Sequence, residues 1–164
     1  SNRVPLTQLK NLDSSIKKNT SFIKKLKLIS EEQKESLCQE LNSLNLSRYI
    51  SEVVAAIVEA KLKPSDIGAS VKICSLLHQR YPDFANQLTS TLSKAFVSIQ
   101  TSNAESESDK NAKIARRRIL LRLFGELLIV GVTKEGDALT HLLQELITAD
   151  INSKKSNDGN NYQN

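Results

Sequence analysis

The chain has no methionine and no tryptophan, and only two cysteines, two histidines, three prolines and five glycines among its 164 residues. Each scarcity excludes something. Glycine and proline together are eight residues, about 5% of the chain against an ordinary ~12%. The turn punctuation that an all-β sandwich or barrel requires every ~8–12 residues is therefore missing. Aromatics are only 4% of the chain, which also argues against strands. Cys38 and Cys74 stand alone, with no Cys-x-x-Cys and no Cys/His cluster, so a structural zinc site is excluded. Each cysteine lies in an apolar, helix-like stretch and reads as a buried free thiol. Two unpaired thiols with no signal peptide point to a reducing compartment. The longest apolar run, Leu127 to Val132, falls far short of the ~20 residues a membrane helix needs, so no membrane partner is expected. With no methionine, the chain is expected to be a piece of a longer protein, with Ser1-Asn2 as a cloning remnant.

What is present is helical periodicity. Hydrophobic residues make up 39% of the chain and arrive in periodic blocks, which excludes disorder throughout. Over 12–29, Leu12, Ile16, Asn19, Ile23, Leu26 and Ile29 recur at spacings of three or four, an amphipathic helix with Asp13 or Ser14 as its cap. Phe22 also fits a core position. Ser30-Glu-Glu-Gln33 has the form of a capping box opening a helix over about 31–42, with Leu37, Leu41 and Cys38 on its face. Further helices are expected over about 47–62, 65–80, 83–99, 111–131 and 134–149. Pro64 is placed in a first turn and Pro82 ends the helix before it. The segment 101–110 reads as a polar, acidic loop. The helix over 111–131 is apolar nearly all round, as a helix packed between neighbours would be. The strong core helices begin near 12, 47 and 83, an interval of about 35 that suits stacked helix pairs. The fold class is thus all-α, a HEAT-like stack of about seven helices in antiparallel pairs. Residues 1–11 are expected to form a flexible lead, 12–150 the module and 151–164 a disordered, Asn-rich tail.

The net charge of +5 is distributed in blocks. Residues 1–30 hold seven bases and one acid, residues 31–60 hold six acids and two bases, and residues 111–122 hold five bases and no acid. Two basic constellations emerge. Lys17, Lys18, Lys24, Lys25 and Lys27 fall on neighbouring stripes of the first helix, where they could track phosphates or an acidic protein surface or form a solvated face. Arg116, Arg117, Arg118 and Arg122 form a second patch with arginine's fork geometry; its structural alternative is pairing with acids of 31–40, Glu52 or Glu59 across the stack. A third group, His78, Gln79 and Arg80 in the run His78 to Phe84, is either a partner surface or a corner lock with Tyr81 and Phe84 in the core and Asp83 as a cap.

Catalysis finds no support. His78 and His141 lie on different helices, and no nucleophile elbow, P-loop, kinase or HExxH pattern occurs. Glu31-Glu32 sits at a helix start, where it complements the dipole. No catalytic residue, cofactor or metal is assigned.

Four blocks carry a family likeness: Leu12 to Leu28, Leu46 to Lys63, Leu77 to Phe84, and Leu123 to Val132 followed by Glu135-Gly136. In this order and spacing they resemble the MIF4G (middle domain of initiation factor 4G) family, and within it the first of the tandem modules of nonsense-mediated mRNA decay scaffolds. The likeness covers roughly residues 10–150. It implies a HEAT-type helical module of a large cytoplasmic, perinuclear scaffold whose partners are proteins of the mRNA surveillance machinery. Family modules continue with further helix pairs, so this chain reads as truncated or as carrying an insertion near residue 152. The expected function is a non-catalytic scaffold, monomeric in isolation, with RNA binding by the basic helix faces, a different helical peptide-binding adaptor and an unrecognised hydrolase or transferase as the rival readings.

Overall fold

The computed structural model describes residues 3–102, 106–133 and Gln144. Within them lie seven α-helices: α1 (Leu6–Lys10), α2 (Ile16–Leu26), α3 (Lys34–Ser43), α4 (Ile50–Glu59), α5 (Ile67–Arg80), α6 (Phe84–Thr101) and α7 (Glu107–Ile129). A single 3₁₀ turn, Pro64–Asp66, leads into α5. α4 packs on α2 and α6, α5 packs on α3 and α7, and contacts from α2 to α3 and from α6 to α7 join the two rows. Successive helices thus alternate between two layers, the arrangement of a helix-pair stack and the fold class expected from the sequence. All four phenylalanines, Phe22, Phe84, Phe96 and Phe124, are fully buried in one continuous core. Truncating any one of them to alanine should cost about 3–5 kcal/mol.

Several boundaries differ from those expected. The lead over 1–11 contains α1, whose Leu9 is buried, and the Val4 amide donates to the Gln79 carbonyl at 3.0 Å. α2 begins at Ile16 rather than near residue 12, because Asp13 is engaged elsewhere: its amide donates to Ser43 O (3.1 Å) and its carbonyl accepts from Asn45 N (2.8 Å). Neither Asp13 nor Ser14 is the cap; Ser15 holds that position without a side-chain bond, while Asp13 Oδ1 accepts the Ser15 amide at 2.9 Å. α3 starts at Lys34, and the Ser30–Gln33 box does not form. Those residues make turns, and the Glu31 amide donates to Asp66 Oδ1 instead (3.3 Å). The loop expected over 101–110 shrinks from both ends. α6 runs to Thr101, and α7 opens at Glu107 behind a true capping box in which the Ser106 hydroxyl accepts from Asp109 N and Asp109 Oδ2 accepts from Ser106 N.

The inward face of α2 also turns relative to the expected stripe. Asn19, Phe22 and Leu26 are buried, whereas Ile16 is 72% exposed. Asn19 earns its core position through a bond from Nδ2 to Asn45 O (3.1 Å), which fixes the loop before α4. On α7, Leu120, Leu123, Phe124 and Leu127 are buried while Ile129 is 85% exposed, so the helix is not packed on every side along its length. α7 ends in a Schellman motif: Gly131 has φ +77°, its amide donates to Leu128 O (3.1 Å), and the amide of buried Val132 donates to Leu127 O (3.0 Å). The helix expected over 134–149, His141 and the tail over 151–164 lie outside the described residues.

Candidate partner-binding surface

The lysines of the first basic constellation separate by direction. Lys18 pairs with Asp13 at 2.5 Å, Lys25 with Glu40 of α3 at 2.7 Å and Lys27 with Glu59 of α4 at 3.2 Å. These three bridge α2 to its neighbours and to its own N-terminal lead. The side chains of Lys17 and Lys24, seven residues apart and both exposed, form no ion pair or hydrogen bond among the described residues. Such exposed pairs contribute at most about 1 kcal/mol each, so their main effect is on where positive charge remains uncompensated. Lys18 and the Ser15 amide together pull the Asp13 carboxyl down to about 2.

The second constellation is divided differently. Arg116 is half-buried on α7 and reaches the C-terminal end of α4: Nη1 donates to Ala60 O at 2.9 Å and Nη2 donates to Val58 O. Its partners are backbone carbonyls, not the acids expected across the stack. A cation at a helix C-terminus satisfies orphan carbonyls and complements the dipole. Burial lowers the Arg116 pKa from its ordinary value. Arg122 Nε donates to Glu126 one turn along the same helix (3.1 Å). Arg118 is exposed, and Arg117 is partly buried with its Nε unbonded.

At the α5–α6 corner, Arg80 ties α5 to the end of α3: Nη1 donates to Leu41 O at 2.8 Å and Nη2 to Asn42 Oδ1 at 2.5 Å. Tyr81 and Phe84 are buried, and the Tyr81 hydroxyl accepts the Leu46 amide at 2.9 Å. Burial raises the Tyr81 pKa. Asp83 occupies the N-cap position of α6 but makes no capping bond with its side chain. His78 and Gln79 are both partly exposed, and Gln79 holds Val4 through its carbonyl. Of the third group, then, Arg80 and the Gln79 backbone serve the fold directly. Cys38 and Cys74 are buried free thiols, and burial pushes the Cys74 pKa to about 12, so neither is an activated nucleophile. Among the described residues no group of three His, Cys, Asp or Glu gathers as metal ligands, and no helix is long and apolar enough to cross a membrane.

One concavity has residues from two connections. The α2–α3 turn and the α4–α5 connection enclose about 490 Å³, with Lys27, Leu28, Glu32, Lys61, Lys63 and Asp66 in its walls. Asp66 is internally satisfied, since Oδ2 accepts the Lys63 amide (3.0 Å) and Oδ1 the Glu31 amide. The sequence reading missed Lys61, Lys63 and Leu28 as a group because they come from separate connections, and only the stacking of α2 on α4 brings those connections together.

Residues 16–161 match the MIF4G domain family. Among curated proteins, the chain is 48% identical over 142 residues to the regulator of nonsense transcripts UPF2 of Arabidopsis thaliana, covering 87% of this chain and 12% of that protein. It is likewise 48% identical over 145 residues to the regulator of nonsense transcripts 2 of Homo sapiens, covering 87% of this chain and 11% of that protein. The chain therefore spans about an eighth of the length of these relatives. Among solved structures, the first MIF4G domain of the human nonsense-mediated decay factor UPF2 superimposes with a TM-score of 0.79 at 44% identity, covering 89% of this chain and 45% of that one.

Proposed function

This chain belongs to the MIF4G domain family, and from that premise we propose that it is a non-catalytic scaffold module of a nonsense-mediated mRNA decay factor, presenting a helical surface to proteins of the mRNA surveillance machinery. The observation that carries the reading is the 48% identity, over 87% of the chain, to two proteins named as regulators of nonsense transcripts. The chemistry of the surface agrees with it. The thiols are buried, several of the strongest polar groups (Arg80, Arg116, Asp66, Tyr81) are consumed in tying helices to connections, and the remaining charge lies on exposed helix faces. A stack of this kind holds an extended surface rigid because each helix pair is supported by its neighbours. The reading places the module in the cytoplasm and as a monomer in isolation, with the folded unit running from α1 to about residue 150.

Contact with RNA is a second reading, and the uncompensated Lys17 and Lys24 are the observation that favours it. Among the described residues it lacks a stacking platform: Phe22, Tyr81, Phe84, Phe96 and Phe124 are all buried and Tyr49 is only partly exposed, whereas single-strand binders stack bases on aromatic rings.

The test is genetic. Deleting this segment from the full-length protein in cells should lengthen the half-life of a reporter mRNA carrying a premature stop codon, with the protein's own abundance unchanged. An unaltered reporter half-life at normal abundance overturns the proposal.

A further inference from the structure

We propose that the outer face of α2, together with the concavity at its C-terminal end, docks an acidic peptide segment of a protein partner that carries aliphatic anchor side chains. The inference rests on the scaffold reading above and specifies the chemistry of what the scaffold holds.

The first observation is the charge balance after internal pairing. Lys18, Lys25 and Lys27 are neutralised by Asp13, Glu40 and Glu59. Lys17 and Lys24 on α2, and Lys61 and Lys63 on the concavity wall, are all exposed and form no ion pair among the described residues. The acids nearby are mostly engaged. Glu31 pairs with Lys34, and the Asp66 carboxylate accepts two backbone amides. Glu32 is left. Four lysines without an ion pair against two acids, Glu32 and the amide-bonded Asp66, leave a net positive surface whose excess lies on α2, and it selects a negatively charged segment and steers its approach.

The second observation is apolar. Ile16 at the start of α2 and Leu28 just past its end are 72% and 73% exposed, and the uncompensated Lys17 and Lys24 lie between them. Leu28 stands in the wall of the 490 Å³ concavity beside Lys61 and Lys63, room enough for side chains of an incoming segment. A single exposed aliphatic residue is ordinary. Here two of them bracket a lysine stripe, and one lines a concave site.

A peptide fits this combination better than a nucleic acid does. An aliphatic side chain against Leu28 gains from burial, whereas phosphates do not. No arginine belongs to the uncompensated set, and among the described residues every aromatic is buried except the partly exposed Tyr49.

The test is a display selection of random peptides against the whole chain, with the fourfold variant Lys17→Glu, Lys24→Glu, Lys61→Glu, Lys63→Glu as a parallel target. The proposal expects binders enriched in Asp and Glu around Leu or Ile, with amide shifts confined to α2 and residues 27–32 and 61–66. Their affinity should fall at least tenfold in the fourfold variant and about tenfold in Leu28→Ser, as loss of one buried leucine contact implies. All of these substitutions lie on exposed positions, and an unchanged circular dichroism spectrum confirms folding. Binders without acidic enrichment, or equal affinity for wild type and variants, overturn it. So does an oligouridine that shifts the same residues more tightly than any selected peptide. None of these readouts involves mRNA decay, so failure here leaves the reporter result standing, and failure of the reporter leaves this one standing.

Discussion

Arg116 gives the sharpest separation between a side chain that serves the fold and one that serves the surface. Its guanidinium donates to Ala60 O at 2.9 Å and to Val58 O from a half-buried position on α7. Arg116→Ala removes both donors, leaving Val58 O unpaired and Ala60 O with only the Leu62 amide (3.0 Å). Hydrogen bonds from a charged donor contribute about 1.5–3 kcal/mol, and part of that is lost for each carbonyl left dry. The helix-end charge adds roughly 0.3–1 kcal/mol. A loss of about 3 kcal/mol is therefore expected, which for a chain of this size lowers Tm by about 6–12 °C. Arg116→Lys keeps the charge but cannot fork between two carbonyls and should lose about half as much. Arg118→Ala, two residues away and exposed, should stay within about 0.5 kcal/mol. Urea unfolding followed by circular dichroism measures all three. If Arg116→Ala costs no more than Arg118→Ala, or if lysine restores full stability, the fork to α4 is not what the residue contributes.

Other outcomes follow from single groups. Tyr81→Phe strands the buried Leu46 amide that its hydroxyl accepts at 2.9 Å and should cost about 1–3 kcal/mol in the same unfolding assay, and in the wild type the Tyr81 phenol should ionise above the ordinary tyrosine range on ultraviolet titration. Asp13 is held down to about 2 by Lys18 and the Ser15 amide. Its contribution to stability is therefore fully present above the unfolded value of 3.8 and is lost as pH falls toward 2; a carboxyl carbon titration by NMR should show that low midpoint, and Lys18→Gln should move it upward. Cys74, with its thiol pushed to about 12 and no exposed surface, should resist a thiol reagent at pH 8 until the chain unfolds, and Cys38 should react first.

The sequence carried the helical class well because the apolar spacing of α4 to α7 is dense and each helix is long enough for the period to repeat. It carried boundaries less well where backbone pairing at a distance overrides local propensity. Asp13 shows the reason: its pairing with Ser43 and Asn45 is a tertiary contact that no local pattern encodes. Ser30 to Gln33 has the letters of a capping box, but Asp66 from the next layer takes the Glu31 amide. The opposite error occurred at Ser106 and Asp109, where the acidic composition obscured a capping box that was present in the letters. On the surface, the sequence located the basic helices but could not separate paired from unpaired lysines, since Glu40 and Glu59 reach α2 only through the stack. Leu28, Lys61 and Lys63 meet for the same reason.

The central claim is that this module holds protein rather than RNA, and nuclease-treated affinity purification tests it most directly. The full-length protein is purified from cells with the wild-type module and with Lys17→Glu and Lys24→Glu, before and after complete digestion of RNA. Surveillance proteins should be retained by the wild type after digestion and depleted in the variant at equal protein abundance. Loss of those proteins from the wild type on digestion would contradict the account.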